Sequence, residues 1–374
     1  MTRILVFTGN AGSGIATAAA AAALRGASQG QRTLLLSLGP AYSLSALLGV
    51  AVGGSPAEIA PRLDALAIDS PAEMSSGWER VRGQMHGEMP PIAGDELPLP
   101  PGIEMLFGML RLGELAARYD LVVLDGGAHD LLLRMLAIPD GLRWIIRLLL
   151  GLDRGPGRSS ASVGRALLPT SFMPTEMIGN TQELRVKIER LRALVTAPGA
   201  SSAQFVLRPD RPALEEARMA IPALHLHGLA VGAIVAGPLL PAPLAGSSFA
   251  AHEDALLSEA SAIWPALPLL RFELTDGDPG LASLGALGDG LDHGDRLLGT
   301  RAPAPIAEQW QGAPAVAIAL PGLPKGALQL TISGDELIVR VGPYRRHILM
   351  PEPLRGVSNI RATREDEHLV VRRR

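Results

Sequence analysis

The residues best suited to chemistry lie at the start of the chain, where Gly9-Asn10-Ala11-Gly12-Ser13-Gly14-Ile15-Ala16-Thr17 follows the apolar run Ile4–Phe7 and leads into an alanine-rich stretch. A glycine loop between a strand and a helix can present backbone N–H groups and the positive end of the helix dipole to an anion. Gly9, Asn10, Gly12, Ser13, Gly14 and Thr17 are therefore candidate phosphate- or nucleotide-binding residues, although the same glycines serve equally for a tight turn. The loop holds no lysine. A dinucleotide site would also require an acidic residue at the end of the second strand, and that strand ends Leu36-Ser37-Leu38-Gly39, which argues against a nicotinamide cofactor. Asp125, His129 and Asp130 form a second constellation that can be read as an acid/base cluster, with Arg134 nearby as an ion-pair or switch residue. His225 and His227 flank Leu226 and would share a face on a strand, as a metal pair or as a histidine pair of core or surface; no third ligand is evident. The chain has no cysteine, which removes disulfides, thiolate nucleophiles and thiolate metal sites.

The elements that must position these groups follow from the apolar pattern. Ile4–Phe7, Thr33–Leu36, Leu121–Leu124, Gln204–Leu207 and Gly232–Ala236 are short continuous apolar runs, as expected of buried parallel strands. Ala16–Leu24 is nearly all alanine, the best helix former, and slim enough to pack closely on a sheet. Strands alternating with helices predict an α/β, doubly wound sheet with ligands at the carboxyl ends of its strands. Residues 74–195 differ in character: eight of the eleven methionines fall between Met74 and Met177, and Leu131–Leu152 is an apolar helical pattern interrupted by Arg134, Asp140, Arg143 and Arg147. Methionine-rich helices serve as core filler or as an adaptable groove for apolar helices. After a Pro/Ala-rich linker at 299–314, the pattern turns to period two over Ala315–Leu320, Leu328–Ile332, Glu336–Val341, Tyr344–Met350 and His368–Arg372, which predicts a small all-β domain.

Read in order, the loop, Gly39-Pro40-Ala41-Tyr42-Ser43-Leu44-Ser45, Pro101-Gly102-Ile103-Glu104, Tyr119–Asp125 and Leu133–Pro139 resemble the ArsA-type ATPases, which include the arsenite-pump ATPase and the targeting factor for tail-anchored membrane proteins. Leu320-Pro321-Gly322, Gly334-Asp335-Glu336-Leu337, Arg345-Arg346 and Leu349-Met350-Pro351 resemble the α-crystallin (small heat-shock) domain that some members carry. The resemblance implies a P-loop NTPase-like sheet with a helical insertion over 1–298, a linker over 299–314 and an α-crystallin-like β sandwich over 315–374. It also places losses. The family's signature lysine corresponds to Asn10, its phosphate-binding lysine to Ile15 and its magnesium-ligating hydroxyl to Ala16, beside the hydroxyl of Thr17. The switch I acid corresponds to Gly39 and the adenine-reading asparagine to Gly237. Asp125, the candidate catalytic residue, survives at the head of switch II, which gives the Asp125, His129 and Asp130 segment a conformational role.

What the resemblance implies for function is an ArsA-family homologue with a degenerate nucleotide site, for which ATP and magnesium are weak ligands. It would act as a homodimer binding hydrophobic helices or tail-anchored clients, with Met135, Leu136, Trp144, Ile145, Leu148, Met173 and Met177 as client-binding residues. The alternative is an active ATPase working through a non-standard loop. An arsenite pump fits poorly, because a soft metalloid favours thiolates. The net charge of -3 carries no nucleic-acid footprint. Gly228–Ala251 is long and uncharged, but its prolines and glycines break any spanning helix, and it reads as a buried strand and a loop. The residues after Met1 lack a signal-peptide pattern, so a cytoplasmic protein that is not an integral membrane protein is expected.

Overall fold

The computed structural model describes residues 2–84, 92–99, 102–149, 186, 189–244, 246–299, 301–357 and 359–374, with backbone alone at 81, 142–149 and 242. The chain divides into two compact units, Met1–Met135 with Pro198–Ala217 and Val231–Ala302, and Leu136–Ala197 with Arg218–Ala230 and Pro303–Arg374.

The first unit is built on eight strands: β1 (Arg3–Gly9), β2 (Thr33–Ser37), β3 (Ala57–Ala60), β4 (Leu63–Ala67), β5 (Leu121–Ala128), β6 (Ser201–Leu207), β7 (Val231–Leu239) and β8 (Leu269–Glu273). They lie in the order β3-β4-β2-β5-β1-β6-β7-β8, all neighbours parallel except β3 with β4. The five strands expected from continuous apolar runs are the central ones, where both faces are covered and apolar residues predominate. Helix α1 (Ile15–Ser28) follows β1 and buries Ala18 through Ala23 completely. α2 (Ala41–Leu48), α3 (Ser70–Gln84), α4 (Ile103–Leu115) and the start of α5 (His129–Leu149) come next, then the start of α6 (Arg211–Leu226), and α7 (Ser248–Ile263) and α8 (Leu281–Leu291). α8 packs against α1 so closely that a Cβ on Gly288 would lie 2.3 Å from the Ala21 carbonyl oxygen. The long uncharged segment contains β7 as expected, and its remainder enters α7, whose first turn is capped by Ser247 accepting from the Ala250 N–H.

The second unit carries two antiparallel sheets. One has the order β14-β15-β10-β9 and the other β11-β12-β13, with β9 (Ile306–Trp310), β10 (Ala313–Ala319), β11 (Leu328–Ser333), β12 (Glu336–Val341), β13 (Tyr344–Leu349), β14 (Ile360–Glu365) and β15 (His368–Arg373). Two of these depart from the sequence reading. Residues 306–310 fall in the stretch read as a linker, yet they pair with β10; β14 was not visible because Ile360–Glu365 is an edge strand with exposed charges. Edge strands bury little, so an apolar pattern is not demanded of them. Asp140 on α5 meets Arg192 Nη1 at 3.2 Å and Arg346 Nε at 3.9 Å, while Arg346 also donates to the Leu226 carbonyl.

Candidate functional site

Strand β1 delivers the glycine loop to the carboxyl edge of the sheet. Gly9 is fixed by its neighbour β6, since a Cβ there would lie 2.0 Å from the Val206 carbonyl oxygen. Gly12 and Gly14 adopt φ of 76° and 79°, a region costly for residues with a Cβ. The Ser13 N–H and hydroxyl both return to the Asn10 carbonyl, at 3.2 and 2.7 Å. α1 has no side-chain cap, its first turn holds no acidic residue, and the N–H groups of Gly14, Ile15, Ala16 and Thr17 make no hydrogen bond among the described residues. Such open donors at a helix start are what an anion accepts from.

The side chains around this cradle have other commitments. Asn10 is 1% exposed, and its amide donates to the Ala213 carbonyl at 3.2 Å and to Glu216 Oε2 at 2.7 Å on α6. Ile15 is buried in the apolar cluster beneath the loop. The cradle is also tied down on its other sides. His129 Nδ1 lies 2.9 Å from the Gly9 carbonyl oxygen, which requires the ring proton on Nδ1. Thr8 donates to the Gly127 carbonyl at 2.8 Å, and Arg208 Nη1 to the Ala11 carbonyl at 3.0 Å.

Asp125 lies in the buried part of β5, one residue before its end at Gly126. Its Oδ2 accepts from the Ser37 hydroxyl at 2.7 Å and its Oδ1 from the Gly127 N–H at 3.3 Å, while Ser37 Oγ accepts from the Gly39 N–H at 3.1 Å. Burial pushes the Asp125 carboxyl above its ordinary value, against the pull of these two donors. The acid/base cluster read from sequence is not assembled as one group: His129 holds the loop, and Asp130 pairs with Arg134 on the surface at 3.4 Å.

On the far side of α1, Phe272 from β8 wedges between two glycines. A Cβ on Gly237 would lie 2.4 Å from its ring and one on Gly14 2.9 Å. Beside it opens a cavity of about 210 Å³ whose lining includes Gly14, Thr17, Leu47, Phe272 and Leu284. An ATP–magnesium fit can be judged from this donor set. The backbone suits a phosphate, but no lysine or arginine of the loop faces it, position 16 offers no hydroxyl, and the Asp125 carboxylate is already engaged. The residues present do not reproduce the lysine-and-metal arrangement on which phosphoryl transfer depends.

Of the residues read as client-binding, Met135 and Leu136 are buried, at 6% and 1% exposure. Met105 and Met109 are buried likewise. The side chains of Trp144, Ile145 and Leu148, and all of Met173 and Met177, lie outside the described residues. His225 and His227 are not on a strand: His225 is in the last turn of α6 and His227 just beyond it. An Ala- and Leu-rich helix ending at Leu226, two residues before Gly228, explains this better than period-two alternation. Both rings are buried, and burial pushes the His225 ring down to about 4 and that of His227 well below the ordinary value.

Sequence reasoning missed Ser37, Arg208, Glu216 and Phe272. One signal was available: Arg208 directly follows an apolar parallel strand, at the edge where ligands bind.

A profile of the anion-transporting ATPase family matches residues 2–257, and one of the HSP20-like domain found in ArsA matches residues 312–372. The whole chain is similar to a putative arsenical pump-driving ATPase of Chlorobaculum tepidum, 26% identical over 99% of this chain and 95% of that protein. It is similar to protein Rv2184c of Mycobacterium tuberculosis, at 30% identity over the same shares. A putative arsenical pump-driving ATPase of Aquifex aeolicus is 24% identical over 99% of both chains.

Proposed function

The chain belongs to the ArsA family of anion-transporting ATPases, and from that premise we propose that its nucleotide site is degenerate and that it works as a homodimer holding hydrophobic helices or tail-anchored membrane-protein clients. The observation that carries the first part is the commitment of Asn10 to α6 at the position of the signature lysine. Each absent charge-assisted hydrogen bond to phosphate forfeits about 1.5–3 kcal/mol, so two missing lysines weaken nucleotide binding by several orders of magnitude. The open N–H groups of the first turn of α1 support retention of a weak phosphate grip. Support for the client role comes from the HSP20-like domain and from α5, a 21-residue helix whose sequence is mostly apolar. The pump reading suggested by the names of the relatives lacks the thiolates that a soft metalloid prefers.

The test uses the purified full chain. Titration with ATP and ADP, with and without magnesium, is expected to give weak binding, a turnover assay no hydrolysis above background, and an apolar transmembrane peptide is expected to be retained by a dimer in size-exclusion chromatography. Hydrolysis that disappears in Asp125→Asn would instead establish the active-ATPase alternative. A chain that binds no apolar peptide in any nucleotide condition ends the client reading.

A further inference from the structure

The cradle has no lysine in its own loop, but a cation reaches it from the next strand. Arg208 leaves the carboxyl end of β6 and is followed by Pro209 and Asp210. The Asp210 N–H donates to the Arg208 carbonyl at 2.8 Å. Asp210 Oδ1 caps the start of α6 by accepting from the Ala213 N–H at 2.8 Å, and Oδ2 takes the Arg208 Nε–H. The aspartate is thus held by the helix it caps and holds the guanidinium in turn. So steered, Nη1 lies 3.0 Å from the Ala11 carbonyl oxygen and is the nearest atom, at 3.7 Å, to a Cβ placed on Gly12. Nη2 makes no hydrogen bond among the described residues, and no other arginine or lysine among them hydrogen-bonds to residues 9–17. Arg211, one residue past Asp210, is turned to a different task and forms a two-pronged pair with Glu259.

We infer that Arg208 supplies the positive charge of this site, meeting the phosphate chain of a bound nucleotide or inorganic polyphosphate in place of the absent loop lysine. The inference rests on the reading that the loop still binds phosphate. An arginine suits the role because its planar guanidinium carries five N–H donors in fixed directions, so Nε and Nη1 can stay on Asp210 and Ala11 while Nη2 donates to phosphate oxygens. Asp210 and Glu216 are the opposing charges here, Glu216 being held in place by Asn10. With one cation against two carboxylates, the site is expected to bind phosphate weakly and with strong dependence on salt.

Isothermal titration of the full chain with ATP and with inorganic tripolyphosphate tests this, using Arg208→Ala, Arg208→Lys and, as a control for overall charge, Arg211→Ala. Expected is a loss of tenfold or more in Arg208→Ala for both ligands alike, an intermediate loss in Arg208→Lys, and a change within twofold in Arg211→Ala, with unaltered melting temperatures without ligand. Wild-type binding left within twofold by Arg208→Ala overturns the role of Arg208 while sparing the loop. A loss seen for ATP alone also overturns it, since the contact would then not be to phosphate. A wild-type chain that binds neither ligand overturns the phosphate reading itself, and this inference with it.

Discussion

At position 237 the backbone passes so close to the Phe272 ring that a Cβ would sit 2.4 Å from Cε1. A side chain at this position therefore requires Phe272 to move. Gly237→Asn is expected to destabilise the chain by about 1–3 kcal/mol through overpacking and to leave ATP affinity unimproved; thermal denaturation paired with an ATP titration checks both. A stable variant with tighter ATP binding would mean that Phe272 yields to the new side chain. The same coupling holds at Asn10, which is bonded to two groups of α6. The missing lysines were legible in the one-dimensional order of the loop. What stands in their place was not, because Glu216, Arg208 and Phe272 are about 200 residues or more away along the chain.

Among the described residues, Asp130 and Asp140 of helix α5 form ion pairs of different worth. Asp130 and Arg134 are exposed, with side chains 41% and 75% accessible, and water screens them. Asp140 and Arg192 are each 13% accessible, with Arg346 also close to the carboxylate. Asp140→Ala should cost about 3 kcal/mol, because it takes the carboxylate away from the partly buried Arg192 guanidinium, whereas Asp130→Ala should stay within about 0.5 kcal/mol. Urea denaturation of the two variants against wild type measures the contrast, and equal costs would contradict it. Asp130 precedes the apolar pattern and Asp140 interrupts it, so the helix was readable from sequence while the difference in worth between the two aspartates was not. Burial, which sets the energy of the pair, is a property of what packs on the helix.

For the molecule as a whole, the buried His225 and His227 make acid the weak direction. With the His225 ring lowered to about 4 from its ordinary 6.5, its contribution is intact above about pH 6.5 and is lost as pH falls toward 4, by about 1.4 kcal/mol per pH unit and about 3 kcal/mol in all. His227, lowered by burial and by Arg346 and Arg192, acts in the same sense. Asp125 acts oppositely: its raised carboxyl is penalised when ionised, and that cost is relieved as pH falls through its folded value. Melting temperatures between pH 7.5 and 4.5 should therefore fall steeply for wild type and less for His225→Gln, which keeps a donor for the Ala319 carbonyl that the ring bonds. An equal slope in both would remove His225 as the cause.

Along its length, the sequence by itself determined the class of the two parts and the absence of a lysine from the loop. A strand buried on both faces is predominantly apolar, as Ile4–Phe7, Leu34–Leu36, Leu121–Leu124, Phe205–Leu207 and Ala233–Ala236 are. A helix packed closely on a sheet favours small residues, as α1 shows, and a lysine that is not encoded cannot be supplied by folding. The tertiary structure alone decided which distant side chains meet at the cradle, that residues 306–310 join a sheet, and that the two histidines end a helix. Those outcomes turn on contacts between segments far apart in the chain, where edge strands and turn residues such as Arg208 leave little periodic trace. The glycine loop is thus a shape written locally, with neighbouring charges brought by Arg208 and Asp210 beyond β6 and by Glu216 on α6.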